Sequence, residues 1–165
     1  MFFYAKIILN MKKDKKVKKG FSLVEIMIVV AIIVILALIS IPNLLRARIT
    51  AKETLAKSSL RSISTAMIAY KISNSTYLGV TLSVLSNTTP PYIDSMLGSG
   101  KKEGYDFTLT PVSADTYVCV ATPESQGISG VCSFCVSEDG VIRVRAAGGA
   151  IADHSACMDL SPVGP

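Results

Sequence analysis

This chain of 165 residues has a single histidine, and nowhere does it carry a Gly-rich phosphate loop, an H-E-x-x-H pair, a G-x-S-x-G elbow or a D-x-D-x-D-G calcium loop. The one histidine, His154, lies in a Gly/Ala-rich tail, so a nucleophile paired with histidine has little to rest on. These absences argue against an enzyme, and no cofactor is expected. Acids are scarce where bases are dense. The first twenty residues hold seven of the 17 bases (Lys6, Lys12, Lys13, Lys15, Lys16, Lys18 and Lys19) against one acid, Asp14. Residues 21–165 then carry ten bases and eleven acids, so the net charge of +5 belongs to the N-terminal tail and not to a face of a folded domain. Specific nucleic-acid binding is not expected.

The chain also lacks the small-residue cleavage site that follows the apolar core of an ordinary signal peptide. What it has instead is a run from Leu23 to Ile41 that is apolar except for Glu25 and Ser40. About 20 such residues in a helix cross the hydrocarbon core of a bilayer, so the run is expected to be retained as a membrane-spanning segment. The lysines before it favour a cytoplasmic N-terminus and an exported C-terminal part.

Pro42 removes a backbone donor and is expected to kink the helix near Ser40 and Ile41 without ending it. Beyond it Ile49, Ala56, Leu60, Ile63, Met67 and Tyr70 recur at helical spacing, with Lys52, Glu53, Lys57, Arg61 and Lys71 off that stripe. The pattern predicts one helix of some fifty residues, apolar in its first half and amphipathic in its second. Asn74, Ser75, Gly79 and Pro90-Pro91 mark its end and an irregular connection. Short β-rich runs follow at Tyr105–Thr110, Thr116–Thr122, Val131–Ser137 and Val141–Val144, the last two joined by the hairpin pair Asp139-Gly140. The tail from Ala146 reads as loop. The expectation is an α+β fold: a long N-terminal helix packed on a small antiparallel β-meander.

Lys18-Lys19-Gly20-Phe21-Ser22-Leu23-Val24-Glu25, with the apolar run through Pro42, closely resembles the class III leader and N-terminal helix of type IV pilins and type II secretion pseudopilins. The resemblance covers about residues 18–72. It implies a leader at residues 1–20, a membrane and filament-core segment at 21–45, and an exported pilin domain at 46–165; within the leader Met11 opens a compact basic stretch and is an alternative start to Met1. It also implies that a membrane-embedded prepilin peptidase cuts between Gly20 and Phe21 and methylates the new amine of Phe21. The implied partners are other pilin subunits, the inner-membrane assembly machinery and the membrane itself. The precursor is then a single-pass protein of the inner membrane, destined for an extracellular pilus or a periplasmic pseudopilus.

Elementary chemistry agrees with the motif. A glycine lets the chain lie extended in a tight cleft with its backbone exposed. A carboxylate in hydrocarbon, such as that of Glu25, costs at least a few kcal/mol and is usually kept for function. Its simplest role is a first-turn acid on the helix dipole. The role implied by the family is to pair with the amine of Phe21 on a neighbouring subunit, and Pro42 marks where the family's helix loosens in the filament.

Cys119, Cys132, Cys135 and Cys157 all lie in the exported part, where disulfides are the default. Cys132-x-x-Cys135 with Cys119, Cys157 and His154 also suggests a zinc or redox site. Against it, residues three apart in a strand point to opposite faces. Four cysteines allow three pairings, and the sequence alone does not choose between them. A hairpin from Tyr117 to Ser137 suits Cys119–Cys132, leaving Cys135 for Cys157, and the second bridge resembles the disulfide-bounded C-terminal loop of type IV pilins. A structural filament subunit is thus the leading reading and a secretion pseudopilin its alternative. A membrane-tethered redox or zinc domain comes last.

Overall fold

Continuous apolar sequence, good helix formers and the lack of any glycine between Phe21 and Asn74 produce one helix, α1 (Leu23–Asn74), in the computed structural model, which describes residues 20–164. The described chain divides into two compact units, one ending at Ile41 and one beginning at Pro42. In the first unit no described side chain is buried, and α1 is long and apolar enough there to cross a membrane. Pro42 sits inside α1, which continues through it as expected, and Ser40 Oγ donates to Leu36 O at 2.8 Å one turn back.

The second unit is an α+β domain. Its part of α1 buries Ala56, Leu60, Ile63 and Met67 of the expected stripe, with Ile49 and Tyr70 half-buried. The connection that the sequence suggests is irregular contains two short helices, α2 (Leu82–Asn87) and α3 (Ser95–Gly98). Their N-caps are local side chains: Thr81 accepts from the Val84 amide and Asp94 from the Leu97 amide at 2.8 Å. Five strands follow, β1 (Lys101–Lys102), β2 (Tyr105–Pro111), β3 (Tyr117–Pro123), β4 (Ser133–Ser137) and β5 (Ile142–Arg145), all antiparallel in the order β1-β2-β3-β4-β5. Gly140 takes the positive φ that the β4–β5 turn requires, and the Val141 amide donates to Asp139 Oδ1.

Alternation along the strands sorts the sheet into two faces. Tyr105, Phe107, Tyr117, Cys119, Ala121, Phe134, Val136 and Ile142 share one core with the buried stripe of α1. Tyr117 Oη reaches Ser64 Oγ on α1 at 3.2 Å, and its ring meets that of Tyr77 edge-on at 4.9 Å. Val118, Val120 and Cys135 form a second cluster on the opposite face with Ile151 and Cys157.

That second cluster corrects the reading of the tail as loop. Asp153 accepts from the Ala156 amide and starts a fourth helix, α4 (His154–Met158), which carries Cys157 onto the outer face. Past it, the Val144 amide donates to Ser161 O and the Val163 amide to Ile142 O, so the tail also covers the free edge of β5. Gly, Ala and Ser hide such an element from propensity arguments, because tertiary anchoring decides it.

Candidate assembly segment and its supporting domain

Gly20 to Ser22 precede α1 in non-helical conformation, and the first helical bond is Ile26 N to Ser22 O at 3.3 Å. A Cβ on Gly20 would meet nothing within 4 Å, so the folded chain itself imposes no demand for glycine there. Phe21 is 79 % exposed, and Glu25 stands exposed in the first turn of α1 among Leu23, Val24, Ile26 and Met27, which are exposed as well. The lysines of the leader lie outside the described residues. This segment presents a carboxylate in a sleeve of hydrocarbon side chains with no protein cover of its own.

The cysteines divide into a bonded pair and two free thiols. Cys135 on β4 and Cys157 on α4 are joined, with Cα atoms 6.1 Å apart, and the bond ties the tail to the outer face of the sheet. The expected partner bridge, Cys119–Cys132, is not formed and both thiols are free. The register explains this: Cys119 pairs with Val136, four residues along from Cys132. At about 3.3 Å per residue that is roughly 13 Å, well beyond the span of a disulfide. Both side chains do turn toward the α1-side core, away from Cys135. Burial pushes the Cys119 thiol up to about 12, and burial with the nearby Glu53 carboxylate raises that of half-buried Cys132.

The zinc alternative needs its ligands around one point, whereas here each has another position. Cys135 and Cys157 bind each other, and His154 Nε2 faces Glu138 Oε2 at 2.9 Å. Asp139 pairs with Arg143 at 2.6 Å, and Asp153 caps α4. Glu138, Asp139 and Asp153 are thus engaged in holding turns and tail.

One structural contact is absent from the sequence reading. Glu53 Oε1 accepts the amides of Val131 at 2.9 Å and Cys132 at 3.1 Å, clamping the β3–β4 loop to α1. The signal for it was a lone acid among Arg46, Arg48, Lys52, Lys57 and Arg61. Gly130, beside the clamp, is required sterically, because a Cβ there would lie 2.0 Å from Tyr105 Oη.

The helix thus has an exposed apolar half, long and apolar enough to cross a membrane, and an amphipathic half docked on an antiparallel sheet. Residues 15–41 match the family model described as the prokaryotic N-terminal methylation motif. The chain is 34 % identical to the type IV wide pilus major component of Thermus thermophilus over 64 % of its own length and 82 % of that protein's. It is 31 % identical to the type II secretion system core protein G of Pseudomonas aeruginosa, covering 56 % of this chain and 65 % of that one. Against the type IV major pilin of Myxococcus xanthus it is 46 % identical over 32 % of this chain and 24 % of that one. No solved structure matches. The chain belongs to the family of type IV pilins and type II secretion pseudopilins.

Proposed function

We propose that this chain is a structural subunit of a type IV pilus-like filament. It enters the inner membrane through α1 with its N-terminus cytoplasmic, and prepilin peptidase cuts it between Gly20 and Phe21 and methylates Phe21. It then polymerises through the segment 21–45, with the domain from residue 46 outermost, and leaves as an extracellular pilus. Its partners are other pilin subunits and the inner-membrane assembly machinery, and it performs no catalysis of its own. The observation that carries this reading is the exposed apolar half of α1 with one carboxylate, Glu25, near its start. Such a surface needs lipid first and copies of itself afterwards, and the carboxylate needs a positive partner in both settings. The free amine of Phe21 on a neighbouring subunit supplies that charge only after cleavage, which links processing to assembly. Gly20 supports the same reading, because nothing in the fold calls for it and a protease cleft does.

The alternative, a pseudopilin whose short periplasmic filament serves a type II secretion system, draws on the likeness to protein G. In the resembled family the main pseudopilin carries an acidic calcium loop near its C-terminus, whereas here Glu138 is engaged by His154 of the tail and Asp139 by Arg143 of the β4–β5 hairpin, which favours the pilus. The test is electron microscopy of sheared surface filaments with mass spectrometry of their N-terminal peptide. A methylated Phe21 terminus in long surface filaments is expected. Filaments lacking this chain, or containing it with residues 1–20 attached, would overturn the proposal.

A further inference from the structure

Between Glu25 and Glu53 the chain has no acid, yet Arg46, Arg48 and Lys52 follow directly on the apolar run. Among the described residues none of these three bases joins an ion pair. Glu53, the nearest acid, gives its Oε1 to the Val131 and Cys132 amides. At 3.6 residues per turn, Arg48 and Lys52 point roughly 200° and 240° around α1 from Arg46. Arg46 therefore lies on one side of the helix and Arg48 with Lys52 on the opposite side, so the three do not share one face. A docked protein reads one face of a helix, whereas a bilayer interface surrounds it.

Depth agrees with direction. Leu23 through Leu45 are 23 residues of α1, about 34 Å at the helical rise, against roughly 30 Å of hydrocarbon and a headgroup layer several Å thick on each side. With the small tilt that absorbs the excess, Arg46 and Arg48 emerge at headgroup level. Lys52, about 10 Å beyond Leu45, is half-buried with its Nζ beside Gly104, so it marks the outer edge of the collar and reaches the headgroups only by swinging its flexible stem off the domain. Lys57 and Arg61 lie about 18 and 24 Å beyond Leu45, outside the layer.

We infer that Arg46, Arg48 and Lys52 form a basic collar that binds anionic lipid headgroups of the exported leaflet while the subunit is held in the membrane. This rests on the membrane-anchored reading above. It adds a consequence for processing. Before cleavage the leader lysines outnumber the collar and hold the N-terminus inside. After cleavage the collar is the one cluster of bases flanking the apolar segment, so the charge bias across the bilayer reverses and favours the exported side.

The test reconstitutes the full chain in phosphatidylcholine vesicles and measures, by electron spin resonance, the association of spin-labelled phosphatidylglycerol relative to spin-labelled phosphatidylcholine. Wild type is expected to prefer the anionic lipid, less so at high salt. R46Q/R48Q/K52Q should weaken that preference, by up to about fivefold per base removed. R46K/R48K/K52R should retain it, and K57Q/R61Q should leave it unchanged. Leader lysines are common to every variant, so they cancel in the differences. An unchanged preference in the triple glutamine variant overturns the inference, as does an equal loss in K57Q/R61Q. If the triple variant loses filaments while keeping its lipid preference, the collar is a contact between subunits and the lipid assignment falls. Absence of cleavage or of filaments in wild type would sink the filament reading without touching the lipid measurement.

Discussion

Leu38 and Leu60 lie on the same helix, yet Leu38 is 70 % exposed and Leu60 is 0 % exposed. The unit up to Ile41 buries no described side chain, while the unit from Pro42 closes a core on one sheet face and a second cluster on the other. Hydrophobicity alone does not produce this contrast, since the exposed unit is the more apolar. The difference lies in pattern. A stripe matches one partner surface, and the rest of the chain supplies that surface to residues 56–67. An all-round apolar helix matches only a surrounding medium, and no segment of the same chain can provide that. The second unit is finished by folding, and the first is finished by its surroundings.

The sharpest way to break that comparison is to remove the one polar group of the first unit. Glu25→Val eliminates a membrane penalty, so membrane-fraction abundance should match wild type. In a filament it would leave the amine of Phe21 unpaired in a packed core, where deleting one partner of a buried pair typically costs about 3 to 5 kcal/mol. Sheared-filament yield should then collapse. Normal filaments from the valine variant would reduce Glu25 to a helix-end acid.

Next comes the same chemical change made in both units. Leu60→Ala should lower the unfolding free energy of the domain by about 2 to 5 kcal/mol, as truncation of a fully buried leucine does. Leu38→Ala should leave it unchanged in chemical denaturation followed by tyrosine fluorescence. Equal losses would show that the first unit has a folded partner within the chain. Within the second unit, opening the Cys135–Cys157 bond frees the tail, and a loop of this size predicts a loss of about 2 to 4 kcal/mol. Thermal melts of Cys135→Ser/Cys157→Ser should fall well below wild type and ignore reductant. Cys119→Ser should keep its response to reductant.

Where the sequence reading succeeded and failed follows the same division between pattern and surroundings. The stripe Ala56, Leu60, Ile63 and Met67 was legible because helical period and burial coincide, and the four longer strands because alternation and turn residues agree. The short helices and α4 were not, since four to six residues carry no period and their caps, Asp94 and Asp153, resemble any loop acid. The Cys119–Cys132 expectation failed on register, which depends on the loop between β3 and β4 and not on either strand's sequence. The Glu53 clamp was not legible either, because its partners are the Val131 and Cys132 backbone amides, which no sequence pattern advertises.

The smallest expected effect concerns pH, and it belongs to the second unit. The hydrogen bond from Lys102 and then the Leu97 amide hold the Asp94 carboxyl below its ordinary 3.8. The Ala156 amide and the Ser155 hydroxyl do the same for Asp153. For Asp139, burial pushes upward, but Arg143 and the Val141 amide prevail and the carboxyl ends below 3.8. A carboxyl with a depressed folded value binds its proton more readily when the chain unfolds. The stability these groups contribute is therefore complete above about pH 4 and disappears as pH falls below 3.8 through their folded values. Asp94→Asn keeps a competent N-cap and removes the ion pair with Lys102, a surface pair worth about 0.2 to 1 kcal/mol. At pH 7 it should cost no more than that, and between pH 4 and 2 its stability should decline less steeply than that of wild type. Denaturant midpoints measured across that range would decide it. A parallel decline in both proteins would mean that Asp94 is not held by Lys102 and that the acid sensitivity of the domain arises elsewhere.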